Sequence, residues 1–407
     1  MKRLPSIDIA RGLVMVIMAL DHARDLLGYS TLQNPLDLKT TTPILFFTRV
    51  VTHLCAPTFV FLSGVSAYLS LSSASASGVA AASGAPLSGA FPSTVGARYA
   101  AGRRFLLNRG IVLVLTEFTL VNFALNFDIH FRLFVFEVIA TIGAGMILLS
   151  FLSRLPSKAI FVIAFLLIFG HDLINRVPMP ASPVLGFLGS LLFGPGAFKI
   201  TPNCLFVIAY PVLPWLGIML AGFAAGQLFT LPVHRRRPIL LRLGLSALML
   251  FVVLRFLNVY GDPNPWSAQK SAGYTILSFL NVSKYPPSLL FTLITIGILL
   301  IILSIVEEKD NACTRILLTY GRVPLFYFIL HLYLIHGILL LVVLLQGHRL
   351  VDLPFGPFQF GRPEGAGLSL GAVYLVWIGV VVALYPACRW YGRYKAAHKE
   401  MRWLRYF

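Results

Sequence analysis

The chain contains repeated apolar runs of about 20 residues, the length of helix that crosses the ~30 Å hydrocarbon core of a bilayer. With 57% hydrophobic and only 12% charged residues, a soluble globular fold is excluded. The runs predict an all-α, polytopic integral membrane protein with about ten transmembrane helices in a single bundle. Their predicted positions are 7–28, 44–71, 104–126, 132–152, 158–175, 204–226, 239–260, 286–306, 323–346 and 367–390.

Lys and Arg are concentrated in alternate loops between these runs, as at 98–109, 235–242 and 389–405. The positive-inside rule therefore places both termini in the cytoplasm and the protein in the cell inner (plasma) membrane as a multi-pass protein. The same residues account for most of the net charge of +18. Because a basic cytoplasmic face meets anionic lipid headgroups, the charge predicts membrane lipids as partners and requires no nucleic acid.

The domain organisation predicted is one transmembrane domain over 1–407. The segment 72–97 is rich in Ser, Ala, Gly and Pro and predicts a flexible cytoplasmic linker, and 391–407 predicts a basic cytoplasmic tail. The four cysteines are scattered, so neither a disulfide framework nor a thiolate metal site is indicated, and no metal is expected. The oligomeric state stays open, a homo-oligomer included.

Ionisable residues within the first run point to a functional site, because such groups are costly in hydrocarbon and usually face a cavity, a partner or a pathway. Arg11 and His22 have ten residues between them, which is about three helical turns and ~16 Å of rise on one face. Asp21 and Asp25 are close enough along the helix to fix the tautomer of the His22 imidazole.

Two other runs carry histidines at a comparable predicted depth. The second run places Arg49 and His53 four residues apart on one face, and the ninth contains Tyr327 and His336. We therefore expect the first, second and ninth helices to converge around one polar cavity.

Several short motifs stand in an order that resembles a known family. IDIARG with Arg11 and His22, followed by FVFLSG at 59–64, resembles the membrane-bound acyltransferase superfamily that includes acyltransferase family 3. A fuller match resembles the bacterial relatives of the heparan-alpha-glucosaminide N-acetyltransferase catalytic domain and spans nearly the whole chain. It comprises DHARD at 21–25, THLCAPTFVFLSG at 52–64, YPVLPWLG at 210–217, YGDPNPW at 260–266, KYPPSLL at 284–290 and GRVPLFYFILHLYLIHG at 321–337.

The resemblance implies an acyl-CoA-dependent O- or N-acetyltransferase. It would move an acyl group, most simply acetyl from cytosolic acetyl-CoA, to a hydroxyl or amine of an extracytoplasmic acceptor, commonly a sugar of a glycan. Attack on a thioester needs a general base, and a neutral imidazole suits that task near pH 7. Either His22 or His53 fills this role, with direct attack and an acyl-histidine intermediate both open.

The candidate site residues fall into three groups. The catalytic candidates are His22, Asp25, Asp21, His53 and Tyr327. The candidates for binding acyl-CoA are Arg11, Arg49, Arg104, Arg109 and Arg322, and those for the acceptor are Trp266, Lys284, Tyr285 and His336.

Two other classes of protein fit the same residues. A proton-coupled or solute transporter also places His, Asp, Glu and Arg along a membrane pathway, but it yields no covalent product. A non-catalytic scaffold would tolerate the loss of His22. Release of free CoA from acetyl-CoA in the presence of an acceptor distinguishes the enzyme from both.

Overall fold

The computed structural model describes residues 4–32, 34–82, 91–174 and 182–406. These residues are mostly helical. The helices are α1 Pro5–Leu27, α2 Pro43–Thr52, α3 Cys55–Ala82, α4 Phe91–Thr116, α5 Asn122–Asn126, α6 Val138–Leu152, α7 Ser157–Ile174, α8 Pro183–Leu192, α9 Val212–Ala225, α10 Val233–Leu257, α11 Ala272–Leu280, α12 Leu289–Val306, α13 Ala312–Gly321, α14 Pro324–Leu345 and α15 Leu370–Ala397. The strands are β1 Leu133–Phe136, β2 Gly196–Thr201 and β3 Cys204–Ile208.

Eight helical stretches within the described ranges are long and apolar enough to cross a membrane. The protein is therefore a multi-pass membrane protein. Two of the ten predicted spans are not among the eight, because α1 holds five charged side chains and α6 has only 15 residues. The count of ten and the single bundle stay predictions. The eight stretches are Pro43–Ser72, Tyr99–Asn126, Ser157–Ile174, Val212–Thr230, Val233–Leu257, Leu289–Val306, Pro324–Leu345 and Leu370–Ala397.

A three-stranded sheet corrects the expectation of an all-α chain. The strand order is β1-β3-β2, with β1 parallel and β2 antiparallel to β3. The segments LFVF (β1) and CLFVI (β3) lie within the predicted helical spans 132–152 and 204–226. Short apolar runs have no period that separates a strand from a helix, and both lie next to helical sequence. In the structure α6 and α9 therefore begin later than predicted.

The predicted linker at 72–97 overlaps two helices. Helix α3 continues to Ala82 and α4 begins at Phe91, while residues 83–90 lie outside the described part of the chain. Helix α15 likewise continues to Ala397, into the predicted tail at 391–407. The flexible character of the first segment and the cytoplasmic location of both stay predictions.

Helix α1 is the central element, in contact with α2, α3, α12, α13, α14 and α15. Its approach to α13 is fixed by two glycines that allow backbones to touch. A Cβ on Gly12 would overlap the carbonyl of Leu317, and one on Gly321 would overlap the carbonyl of Asp8. Since α14 begins three residues after Gly321, this contact also sets where α14 lies beside α1.

Candidate functional site

Two cavities lie along α1, one on each half of the helix. The first cavity, about 820 Å³, is lined from the N-terminal half by residues that include Asp8, Arg11 and Met15. The second cavity is about 340 Å³. It is lined by Asp21, His22, Asp25, Leu26, Arg49, Leu125, Glu137, Tyr210, Lys284, Tyr285, Phe358 and Phe360.

The two cavities approach each other at His22. Phe328 lines the first cavity, and its ring packs edge-on to the imidazoles of His22 and His331, with centroids 6.1 Å and 5.5 Å away. Glu137 lines the second cavity and the next residue, Val138, lines the first. Glu137 and Val138 are thus adjacent residues that line different cavities.

His22 and His331 form a hydrogen-bonded pair. Nδ1 of His22 lies 2.7 Å from Nε2 of His331, and the two rings are stacked with centroids 4.9 Å apart. Nδ1 of His331 lies 3.0 Å from the carbonyl oxygen of Tyr327. A carbonyl only accepts, so Nδ1 of His331 carries the proton and its Nε2 accepts from His22. This leaves Nε2 of His22 unprotonated in the neutral ring, the form of imidazole that takes up a proton.

The two aspartates beside His22 pair with arginines and not with the imidazole. Asp21 bridges Nη2 of Arg24 at 2.8 Å and Nη1 of Arg49 at 2.5 Å. Asp25 also pairs with Arg24, but its side chain is 49% exposed. The aspartate expected to orient His22 is thus replaced in the structure by His331, because charged arginines bind these carboxylates more strongly than a neutral ring does.

Lys284 and Tyr285, two of the predicted acceptor-binding residues, bring a cation and a phenol to the second cavity. Nζ of Lys284 lies 5.0 Å from the ring centroid of Tyr285 and 5.7 Å from that of Tyr210. The two tyrosine hydroxyls are 3.4 Å apart. Burial raises the pKa of Tyr285, but the Lys284 ammonium and the Arg49 guanidinium outweigh it, so the pKa lies below its usual value. The Lys284 ammonium can donate hydrogen bonds to oxygen atoms of a ligand.

The first cavity is basic. Arg11, Arg109, Arg322 and Lys395 line it, with Asp8 as the acidic residue of the lining. Arg11 donates to Ser66 Oγ at 2.5 Å and to the carbonyl of Leu62 at 3.2 Å, which holds it against α3. The buried Nε of Arg109 has no hydrogen-bond partner among the described residues. Such a wall suits an anionic ligand.

Five of the predicted site residues lie in neither lining. His53 packs edge-on to Phe291 at 5.4 Å, and His336 stacks on Phe127 at 3.9 Å and bonds through Nδ1 to the carbonyl of Ala124. Tyr327 is fully buried against the ring of His331. Trp266 and Arg104 are the other two. Arg49, predicted to bind acyl-CoA, lines the second cavity and not the basic first one.

Five residues that line or support the second cavity are not among the predicted site residues. His331 lies four residues after Tyr327, and this spacing can be read from the sequence. Its partner His22, however, is 309 positions away along the chain. Tyr210 opens the motif YPVLPWLG, and Glu137 directly precedes α6. Phe358 and Phe360 come from the loop between α14 and α15, which has no motif.

Comparison with known protein families gives a match to the larger part of the chain. Residues 3–260, more than half of the chain, match the family model described as heparan-alpha-glucosaminide N-acetyltransferase, catalytic. No curated protein sequence matches the chain. Asp21, His22, Arg49, Glu137 and Tyr210 lie within the matched residues. His331, Lys284 and Tyr285 come from the remainder of the chain.

Proposed function

Because the chain belongs to the heparan-alpha-glucosaminide N-acetyltransferase catalytic family, we propose that it transfers an acetyl group from acetyl-CoA in the first cavity to an acceptor in the second. The observation that carries this proposal is the His22–His331 pair, which stands where the two cavities approach. The base is His22 because it lines a cavity and contacts Phe328 of the other, whereas His53 lines neither.

The donor belongs in the first cavity because of the charge of its wall and because this cavity is the larger of the two. The CoA moiety carries several phosphate charges, and guanidinium groups bind phosphate through charge-assisted hydrogen bonds. Arg109 and Arg322 supply these groups, and Arg322 lies two residues before Pro324, where α14 begins. By the positive-inside rule this end of α1 faces the cytoplasm, where acetyl-CoA is made available. The acceptor then reaches the second cavity from the extracytoplasmic side.

The chemistry follows from the tautomer of His22. The acceptor nitrogen or oxygen adds to the thioester carbonyl carbon while Nε2 of His22 takes its proton. The C–S bond then breaks, and the CoA sulfur leaves with the proton that His22 returns. His331 accepts from Nδ1 of His22 throughout, which holds the ring orientation and stabilises the imidazolium that forms. Arg49 and Lys284, the cations that line the second cavity, are available to stabilise the oxyanion that forms when the acceptor adds to the thioester carbonyl.

The acceptor class comes from the family and from the second cavity together. The family description names an α-linked glucosaminide, whose amine is the acetylated group. The second cavity offers aromatic rings of Tyr285, Phe358 and Phe360, together with Lys284 and Glu137. Rings with a few convergent polar groups are the lining that binds a sugar. An amino sugar at the end of an envelope glycan fits this lining.

The experiment uses purified full-length protein in detergent with acetyl-CoA and methyl α-D-glucosaminide as the acceptor probe. We expect free CoA and an N-acetylated probe in equal amounts, with CoA release much slower without the probe. Release of CoA at the same rate without the probe would indicate hydrolysis, and no release with glucosamine, glucose or the glucosaminide would contradict acetyl transfer to a sugar. A labelled acetyl group recovered on His22 before the acceptor is added would establish the two-step route.

A further inference from the structure

One carboxylate holds both ends of the segment that carries Lys284 and Tyr285. Oδ2 of Asp262 accepts from the backbone N–H of Ser283 at 2.8 Å and from the hydroxyl of Ser288 at 2.7 Å. The amide of Ser288 also donates to the carbonyl of Ser283 at 3.0 Å, which closes the segment into a loop. Lys284 and Tyr285 lie inside that loop, so their position depends on Asp262.

Asp262 is itself buried beside an arginine, and its Oδ1 accepts from the backbone N–H of Asn264 at 2.9 Å. The Arg255 and Asp262 side chains are each 1% exposed, and Nη1 of Arg255 lies 4.0 Å from Oδ1 of Asp262. The guanidinium donates to the carbonyls of Phe279, Ser278, Asn264 and Asn281 at 2.8–2.9 Å. A charged group with this many acceptors in a buried site has one low-energy geometry, because leaving any donor unpaired is costly. Arg255 thus ties the end of α10 to the loops on both sides of α11.

We propose that Asp262, buried beside Arg255, is the positioning residue of the second cavity, which aims Lys284 and Tyr285 at the acceptor. The inference rests on the proposed function and adds a residue that lines neither cavity. A carboxylate that accepts from both ends of a six-residue loop sets the loop geometry directly, and buried hydrogen-bonded networks of this kind rigidify what they hold. Its effect reaches the acceptor only through Lys284 and Tyr285.

The test combines Asp262→Asn with the pair Lys284→Met and Tyr285→Phe in a double-mutant cycle on the KM for methyl α-D-glucosaminide. We expect Asp262→Asn alone to raise this KM about 10-fold, because a charge-assisted hydrogen bond is lost, while the KM for acetyl-CoA stays within about 2-fold. In the background that lacks both the Lys284 ammonium and the Tyr285 hydroxyl, the same change should raise the acceptor KM less than about 2-fold, since the groups that Asp262 positions are gone. A purely structural role would instead give additive effects on both substrates, and that result overturns the proposal.

A second measurement does not depend on turnover. Hydrogen exchange of the amides in 283–288 should be faster in Asp262→Asn and in Ser288→Ala, which removes the hydroxyl donor to Asp262. Ser288 also caps α12, so the matched control is Ser369→Ala, which removes the cap of α15 without contact to Asp262. Unchanged exchange in both variants overturns the positioning role. Absence of turnover in the unmodified protein overturns the proposed function. The hydrogen-exchange result still decides whether Asp262 holds the loop 283–288.

Discussion

The two cavities on α1 differ in the net charge of the residues that line them. In the first cavity, three arginines and a lysine face a single aspartate, so the wall carries an excess of positive charge. In the second, Asp21 and Arg49 neutralise each other and aromatic rings make up much of the remaining wall. One wall therefore suits a polyanion and the other a sugar ring that carries an amine and hydroxyl groups. Transfer between two unlike substrates requires such a division.

The largest effect is expected where the two cavities approach. Replacing His22 by Ala removes the base that both substrates share, and CoA release per folded molecule should fall by about 10²- to 10⁴-fold. His53→Ala is the matched control, since His53 is a buried histidine that lines neither cavity, and it should lower protein yield more than turnover. Near wild-type turnover in His22→Ala, or loss only in His53→Ala, would move the base to His53.

His331 offers a sharper test of the tautomer. His331→Phe keeps the ring stacked on His22 but removes the acceptor for Nδ1, so we expect kcat to fall about 10²-fold with little change in either KM. His336→Phe removes another fully buried histidine without contact to His22. If the two variants lose the same activity, His331 is a structural residue only.

The basic wall of the first cavity should separate donor from acceptor. Arg109→Gln removes a cation from that wall and should raise the KM for acetyl-CoA about 10-fold, while the KM for the acceptor is unchanged. Arg104→Gln removes an exposed arginine from the same helix that lines neither cavity, and should leave both values as they are. Equal effects of the two variants would mean that only the general positive charge of this face matters.

The smallest effect is expected at Asp25. Its side chain is half exposed and pairs with Arg24, so Asp25→Asn should change turnover by less than about 2-fold. Asp21→Asn instead leaves Arg49 and Arg24 without their shared buried carboxylate and should destabilise the fold by about 3–5 kcal/mol. Thermal unfolding and CoA release measured together distinguish these outcomes. A large loss of turnover with Asp25→Asn would restore the aspartate as the group that orients His22.

Several residues that line the two cavities are conspicuous in the sequence, because polar side chains within apolar runs are few. Arg11, His22 and Arg49 were found in this way, and Lys284 and Tyr285 through the motif KYPPSLL. His331 was not assigned, since a histidine acquires its role from a partner that only the approach of α1 to α14 supplies. Phe358 and Phe360 were missed because they lie in a loop where both adopt positive φ, of 63° and 54°, which no propensity predicts.

In the fold, too, features that depend on local sequence were predicted, and features that depend on distant residues were not. Run lengths located the eight stretches that are long and apolar enough to cross a membrane, since hydrophobic length is a local property. The pairing of β1 with β3 joins residues about seventy positions apart, for example Leu133 with Leu205. No periodicity in either segment records that pairing, so both segments were assigned to helices.

The most direct test of the two-cavity account uses sealed vesicles containing the purified protein, with membrane-impermeant acetyl-CoA and methyl α-D-glucosaminide. Each molecule should expose its first cavity on one side and its second on the other, whatever its orientation. With acetyl-CoA outside and the acceptor trapped inside, the account predicts N-acetylated acceptor within the vesicles, and none with His22→Ala. With both substrates supplied outside only, it predicts no product. Product formed with both substrates on one side would show that both cavities open to the same compartment, and would contradict transfer across the membrane.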